Sequence, residues 1–162
     1  MVLLRSLVVA GALSAAGTAT AHVSVTPTQA AAGSYQVLRF GLGHGCEGQA
    51  TTALKIEIPT GVLAARPQPK PGWTLSVERP PGEPDRAVSI TWTGELPANQ
   101  FDEFLILVHL PSDAGPLAFP AIQACGELQN RWVEAPQPGG PRPAHAAPTV
   151  KLESRASALP AH

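Results

Sequence analysis

The segment Phe104-Leu105-Ile106-Leu107-Val108-His109-Leu110 is nearly all apolar and is the strongest fold signal in this chain of 162 residues. A short, continuous apolar run of this kind is typical of a buried β-strand. We therefore expect it to be the central strand of the domain, with weaker strands arranged around it.

The rest of the chain indicates β-structure as well. From residue 22 onward the apolar period is nearer two than 3.6, and residues 52–58 alternate best. The 18 prolines and 15 glycines lie mostly between the apolar runs, which favours turns that join short strands. We expect residues 29–33 to form a turn, and further strands at 22–26, 35–40, 73–78, 87–92, 119–125, 130–134 and 149–152. This pattern predicts an all-β, immunoglobulin-like β-sandwich.

The first 21 residues have the features of a secretory signal peptide. Arg5 supplies a positive charge, residues 7–16 are apolar, and Ala19-Thr20-Ala21 matches an A-x-A cleavage site. We expect a signal peptide at 1–21, one domain at 22–153 and a loose tail at 154–162. The protein would then be periplasmic or secreted, and no later stretch reaches the roughly 18 apolar residues of a membrane span.

The net charge of the chain narrows the class of partner. The 11 Lys and Arg residues nearly balance the 12 Asp and Glu residues, which predicts no nucleic-acid partner.

Cys46 and Cys125 both follow the expected cleavage point. In an oxidising compartment they favour one disulfide, with two reduced, buried thiols as the alternative. Met1 is the only methionine, so the processed chain offers no thioether to a soft metal.

Cleavage after Ala21 would make His22 the first residue. Its new α-amine and its Nδ1 atom can close a chelate ring on one metal ion. Because the α-amine has a pKa of only about 7.7–8.0, a metal displaces its proton at little cost near neutral pH. Amine, imidazole and carboxylate ligands suit Cu(II), whereas Cu(I) favours sulfur. Another N-terminal copper motif needs histidine in third place, where this chain has Ser24.

Several short motifs in a fixed order connect the chain with a known family. They are AHVSVTP (21–27), AAGSY (31–35), HGCEG (44–48), TTALKIEIP (51–59), PKPGW (69–73), FDEF (101–104) and NRWVEAP (130–136). With a histidine at the cleavage point, this series resembles the YcnI-like periplasmic copper-binding domain family over nearly all of the processed chain. The resemblance implies a one-histidine brace for Cu(II), in which His22 gives amine and imidazole, Glu47 gives a carboxylate, and Trp132 lies beside the metal.

Other residues compete for these roles. Glu134 is the main rival of Glu47, and Trp132 is equally explained by packing. His44 is either a second ligand or, more simply, a surface loop histidine. We expect the remaining histidines to be structural or uninvolved, with His109 in or beside the core strand and His145 and His162 in irregular segments.

The family resemblance implies copper handling, by storage, delivery or buffering, rather than an enzyme. The expected partners are the copper ion and a copper chaperone or membrane copper transporter. One alternative is a copper-dependent oxidase or monooxygenase, in which His44 or His109 would converge on His22. The other is a metal-free β-sandwich interaction module, which would bind no Cu(II).

Overall fold

The computed structural model describes residues 22–135, 139–141 and 143–154. These residues contain strands and no helix, so the all-β prediction is confirmed. The predicted signal peptide and residues 155–162 of the predicted tail lie outside this part of the chain. The strands are β1 (Ser24–Thr26), β2 (Gln29–Ala31), β3 (Tyr35–Leu42), β4 (Thr51–Glu57), β5 (Ala64–Pro67), β6 (Thr74–Glu78), β7 (Ser89–Leu96), β8 (Asp102–His109), β9 (Gly115–Ala118), β10 (Ala121–Cys125), β11 (Leu128–Trp132) and β12 (Thr149–Glu153).

The strands form two large sheets and one small one. The first sheet has the order β1-β3-β8-β5, the second β11-β10-β4-β7-β6, and the third β2-β12-β9. The predicted central strand is β8, which pairs with β3 on one side and β5 on the other. Nothing in the described residues forms a helix long and apolar enough to cross a membrane.

The core lies between the two large sheets. In β8 the buried residues Phe104, Ile106 and Val108 alternate with more exposed ones, as expected for a strand with one face inward. Trp92 of β7 is fully buried, and its indole N–H donates to the carbonyl of Gln68 at 3.2 Å. Apolar residues from both large sheets join these in one continuous cluster, which holds the sandwich together.

Contacts between two of the family-like motifs, PKPGW (69–73) and FDEF (101–104), hold the segment between β5 and β6 against β8. The Lys70 ammonium donates to Asp102 Oδ1 at 2.6 Å and to the Glu103 carbonyl at 3.1 Å. It also lies 5.1 Å from the centre of the Phe104 ring, a cation–π distance. Trp73 packs edge-on against the same ring at 4.9 Å. The motifs PKPGW and FDEF therefore stabilise the fold.

Three short strands differ from the sequence-based expectations. Residues 29–33 were expected to form a turn, yet β2 begins there and pairs in parallel with β12, near the other end of the domain. The strands β5 and β9 were not predicted at all. All three have three or four residues, which is too few for a period of two to stand out. Partners far along the chain stabilise them.

The predicted disulfide joins Cys46, in the loop before β4, to Cys125, at the end of β10. Gln123, fully buried on the same strand, donates to the carbonyl of His44 at 2.8 Å and to Thr51 Oγ1 at 2.7 Å. The loop that leads from the first large sheet to the second is therefore fixed to β10 at several points.

Replacing both cysteines, as Cys46→Ala with Cys125→Ala, should lower the free energy of unfolding by about 2–4 kcal/mol. The bridge spans 79 residues of sequence, so its loss greatly enlarges the unfolded ensemble. Urea denaturation measures the change, with dithiothreitol-treated parent protein as the control. Equal midpoints for the oxidised parent and the double variant would contradict this account.

Candidate metal site at the start of the domain

The position of His22 is set by the first strand pair. In the antiparallel pairing of β1 with β3, Ser24 lies opposite Gly41. Two residues further along this register, His22 comes level with Gly43, where the loop towards β4 starts. Val23 is fully buried and so anchors the backbone beside it. The His22 side chain is half-buried, with its Nδ1 atom inside the protein.

Trp132 reaches the same place from the second large sheet. It is the last residue of β11 and lies opposite Ala121 of β10. Its side chain is 1% exposed, and its ring centre lies 5.0 Å from that of His22 at an interplanar angle of 31°. The structure therefore brings together two of the residues singled out in the sequence.

The indole nitrogen of Trp132 is the chemically informative atom of this contact. Its Nε1 is buried and has no hydrogen-bond partner among the residues that the structure describes. A buried donor left unsatisfied costs about 1–3 kcal/mol, so nearly all such groups have an acceptor. An oxygen atom bound to a metal at His22 would be an acceptor of the right kind. The unsatisfied N–H on the indole that contacts His22 is therefore compatible with a metal ion that carries an oxygen ligand.

A second imidazole contacts the same indole. The ring centre of His145 lies 5.5 Å from that of Trp132, and its side chain is exposed. The backbone N–H of His145 donates to Glu134 Oε2 at 2.9 Å, and the N–H of Glu134 donates to the His145 carbonyl at 3.0 Å. We did not expect His145 near the site, because it lies in a Pro- and Gly-rich segment whose sequence has no regular period.

Glu47 occupies a strained position. Its φ is +48° and that of Gly48 is +81°, in a two-residue turn closed by hydrogen bonds between Cys46 and Gln49. Two-residue turns with positive φ at both central positions favour Asn-Gly or Asp-Gly, and glutamate is unusual there. The Glu47 carboxylate is exposed and makes no hydrogen bond or ion pair with another described residue. Strain at an unpaired carboxylate makes Glu47 a candidate for a functional role.

The two candidate carboxylates lie near opposite ends of β10. Glu47 adjoins Cys46 and therefore Cys125, whereas Glu134 follows Trp132, the partner of Ala121. Four residues separate the two ends of β10, or about 13 Å of strand. No three His, Cys, Asp or Glu side chains within residues 22–135, 139–141 and 143–154 form a ready-made metal-binding group.

The remaining histidines differ in how near they lie to His22. His44 is exposed and directly follows Gly43, the residue level with His22, so it lies in the loop beside the site. His109 is the last residue of β8, and its ring stacks on Tyr35 with centres 4.4 Å apart. Glu103, six residues earlier on β8, lies opposite Gly41, so His109 is about 20 Å from the β1 end of the sheet. His162 lies outside the described residues.

The strain at Glu47 predicts that Glu47→Asn stabilises the metal-free protein by up to about 1 kcal/mol, because asparagine tolerates the left-handed region better. Thermal or urea denaturation of the metal-free protein measures this. Glu134→Asn is the control, since Glu134 lies outside the turn and should give no gain. A lower free energy of unfolding for Glu47→Asn than for the parent protein would show that glutamate does not strain the turn.

Comparisons with known proteins agree on family and fold. Residues 22–152 match the family described as a domain of unknown function, DUF1775. The chain is also 32% identical over 108 residues to the copper-binding protein CutI of Bacillus subtilis (strain 168). The matched residues make up 65% of this chain and 51% of CutI. It therefore spans about half the length of this curated relative.

A solved structure is similar as well. An uncharacterized protein from Nocardia farcinica, whose crystal structure has an immunoglobulin-like fold, superposes with a TM-score of 0.70 at 36% identity. The match covers 81% of this chain and 97% of that one, and it confirms the predicted immunoglobulin-like sandwich. The chain therefore belongs to the DUF1775 family, the YcnI-like family that its sequence motifs resemble.

Proposed function

We propose that this protein binds Cu(II) outside the cytoplasm and stores, delivers or buffers it. In this proposal, cleavage after Ala21 exposes His22, whose α-amine and Nδ1 hold one copper ion as cargo. The observation that carries the proposal is the contact of His22 with Trp132, 5.0 Å between ring centres, beside a buried indole N–H that lacks an acceptor among the described residues. The copper-binding name of the relative CutI supports the choice of metal.

The available ligand atoms favour Cu(II) over Cu(I). Both sulfur atoms of Cys46 and Cys125 are in the disulfide, and the described residues contain no free cysteine. Met1, the only methionine of the chain, lies before the proposed cleavage point. The amine, imidazole and carboxylate groups that remain are the hard and intermediate ligands that Cu(II) prefers.

Glu47 is the carboxylate that we assign to the ion. It lies near the Cys125 end of β10 and Trp132 near the Ala121 end, so this assignment requires the exposed Glu47 loop to move towards His22 when the ion binds. The Glu47 side chain has no partner among the described residues, whereas Glu134 already accepts a hydrogen bond from His145 at 2.9 Å. A negative carboxylate also offsets the charge that the ion brings to a half-buried place. Trp132 then covers the ion with an apolar ring and offers its Nε1–H to an oxygen ligand of the metal.

We propose no catalytic residue. The oxidase alternative requires His44 or His109 as a second histidine at His22. The register of the first sheet separates His109 from the β1 end by about 20 Å, which leaves His44 as the candidate of that alternative. Copper handling instead requires that the ion come from and go to other molecules. A copper chaperone or a membrane copper transporter is the class of partner that we propose.

The processed protein beginning at His22 should bind one Cu(II) and show a tetragonal nitrogen–oxygen spectrum by electron paramagnetic resonance. The matched control carries an acetyl group on the His22 α-amine and is otherwise identical. It should bind at least about tenfold more weakly, because one of the two chelating nitrogens is lost. Equal dissociation constants for the free and acetylated forms would rule out the chelate.

Two single substitutions test the carboxylate. Glu47→Gln should weaken Cu(II) binding by at least about tenfold, and Glu134→Gln by no more than about twofold. Both replacements keep the size of the side chain and remove its charge. Calorimetric titration against a competing chelator gives the dissociation constants. The reverse order of the two effects would transfer the ligand role to Glu134.

A further inference from the structure

We propose that the exposed imidazole of His145 is a docking ligand through which copper enters and leaves the site at His22. This inference rests on the proposed Cu(II) function and adds to it a second, transient metal site. Its ligand class is a divalent transition-metal ion that arrives on, or departs with, another carrier.

The proposed copper site is partly enclosed, whereas His145 is open to solvent. The Nδ1 atom of His22 is buried, and Trp132 is only 1% exposed, so the proposed chelate is partly enclosed. His145 contacts the same indole, 5.5 Å between ring centres, but its own side chain is exposed. An imidazole that solvent reaches therefore lies one aromatic ring away from the imidazole of the proposed chelate.

The imidazole of His145 is chemically suited to binding copper for a short time. A neutral imidazole is a common protein ligand of copper. Metal exchange between two carriers proceeds by replacing ligands one at a time, since a bare ion is too costly. One exposed imidazole holds copper only weakly, which suits a group that receives the ion and passes it on.

Hydrogen bonds to Glu134 hold His145 in its position. Glu134 fixes the backbone of His145 by hydrogen bonds of 2.9 Å and 3.0 Å, and its carbonyl accepts a third bond from Ala147 at 2.9 Å. A parallel bridge between Glu134 and Ala146 continues this pairing. These bonds hold the imidazole near Trp132 although the surrounding segment is rich in proline and glycine. Glu134 is thus a positioning residue for His145.

The competing explanation is that the His145 ring only covers Trp132. Phenylalanine would cover the indole equally well and cannot bind copper, so His145→Phe separates the two explanations. His109→Phe is the matched control, because His109 also stacks on an aromatic ring, that of Tyr35, at 4.4 Å. All proteins carry His162→Ala, which removes the one histidine after residue 22 that lies outside the described part of the chain.

The experiment is stopped-flow fluorescence on the processed protein. Association is started with Cu(II)–glycine and dissociation with excess EDTA, and tryptophan emission reports both. His145→Phe should slow both rates by at least about fivefold and leave the dissociation constant within about twofold of the parent. Equal slowing is expected because a docking ligand lowers the same barrier in both directions. His109→Phe should match the parent.

Other outcomes overturn the proposal. Unchanged rates in His145→Phe would reduce His145 to a packing residue. Faster dissociation with a weaker dissociation constant would make it a permanent ligand rather than a docking one. A parent protein that binds no Cu(II) would instead refute the proposed function, and that result is seen before any variant is compared.

Discussion

The contact between the rings of His22 and Trp132 is the constraint on which the candidate site depends. It joins the beginning of the domain, held by the pairing of β1 with β3, to the end of β11 in the other large sheet. Buried residues on both strands, Val25 on β1 and Trp132 on β11, hold the two side chains in contact. Two groups held in place by the fold lower the cost of ordering the proposed site around an ion.

Glu47, the proposed carboxylate ligand, is positioned in a different way. Glu47 lies on an exposed turn with a backbone conformation that glutamate rarely adopts, and the neighbouring disulfide and the buried Gln123 hold its loop in place. Strain of this kind persists only where the surroundings fix it. The same bonds that strengthen the fold thus hold the loop that carries the carboxylate we propose as a copper ligand.

Much of the fold followed from local sequence. The apolar run of β8 and the alternation in β4 reflect one buried face per strand, which a period of two reveals. The strands β2, β5 and β9 were missed because they are short and depend on distant partners. His145 was missed for a related reason, since hydrogen bonds to Glu134, rather than any local pattern, bring it to Trp132. The proposed role of His22 depends on cleavage, which sequence motifs predict but folding does not determine.

The most direct measurement is a crystal structure of the exported, processed protein with copper bound. We expect the chain to begin at His22, with the ion bonded to its α-amine and its Nδ1 and with the Trp132 indole beside it. A chain that begins at another residue, or an ion bound away from His22, would contradict the account.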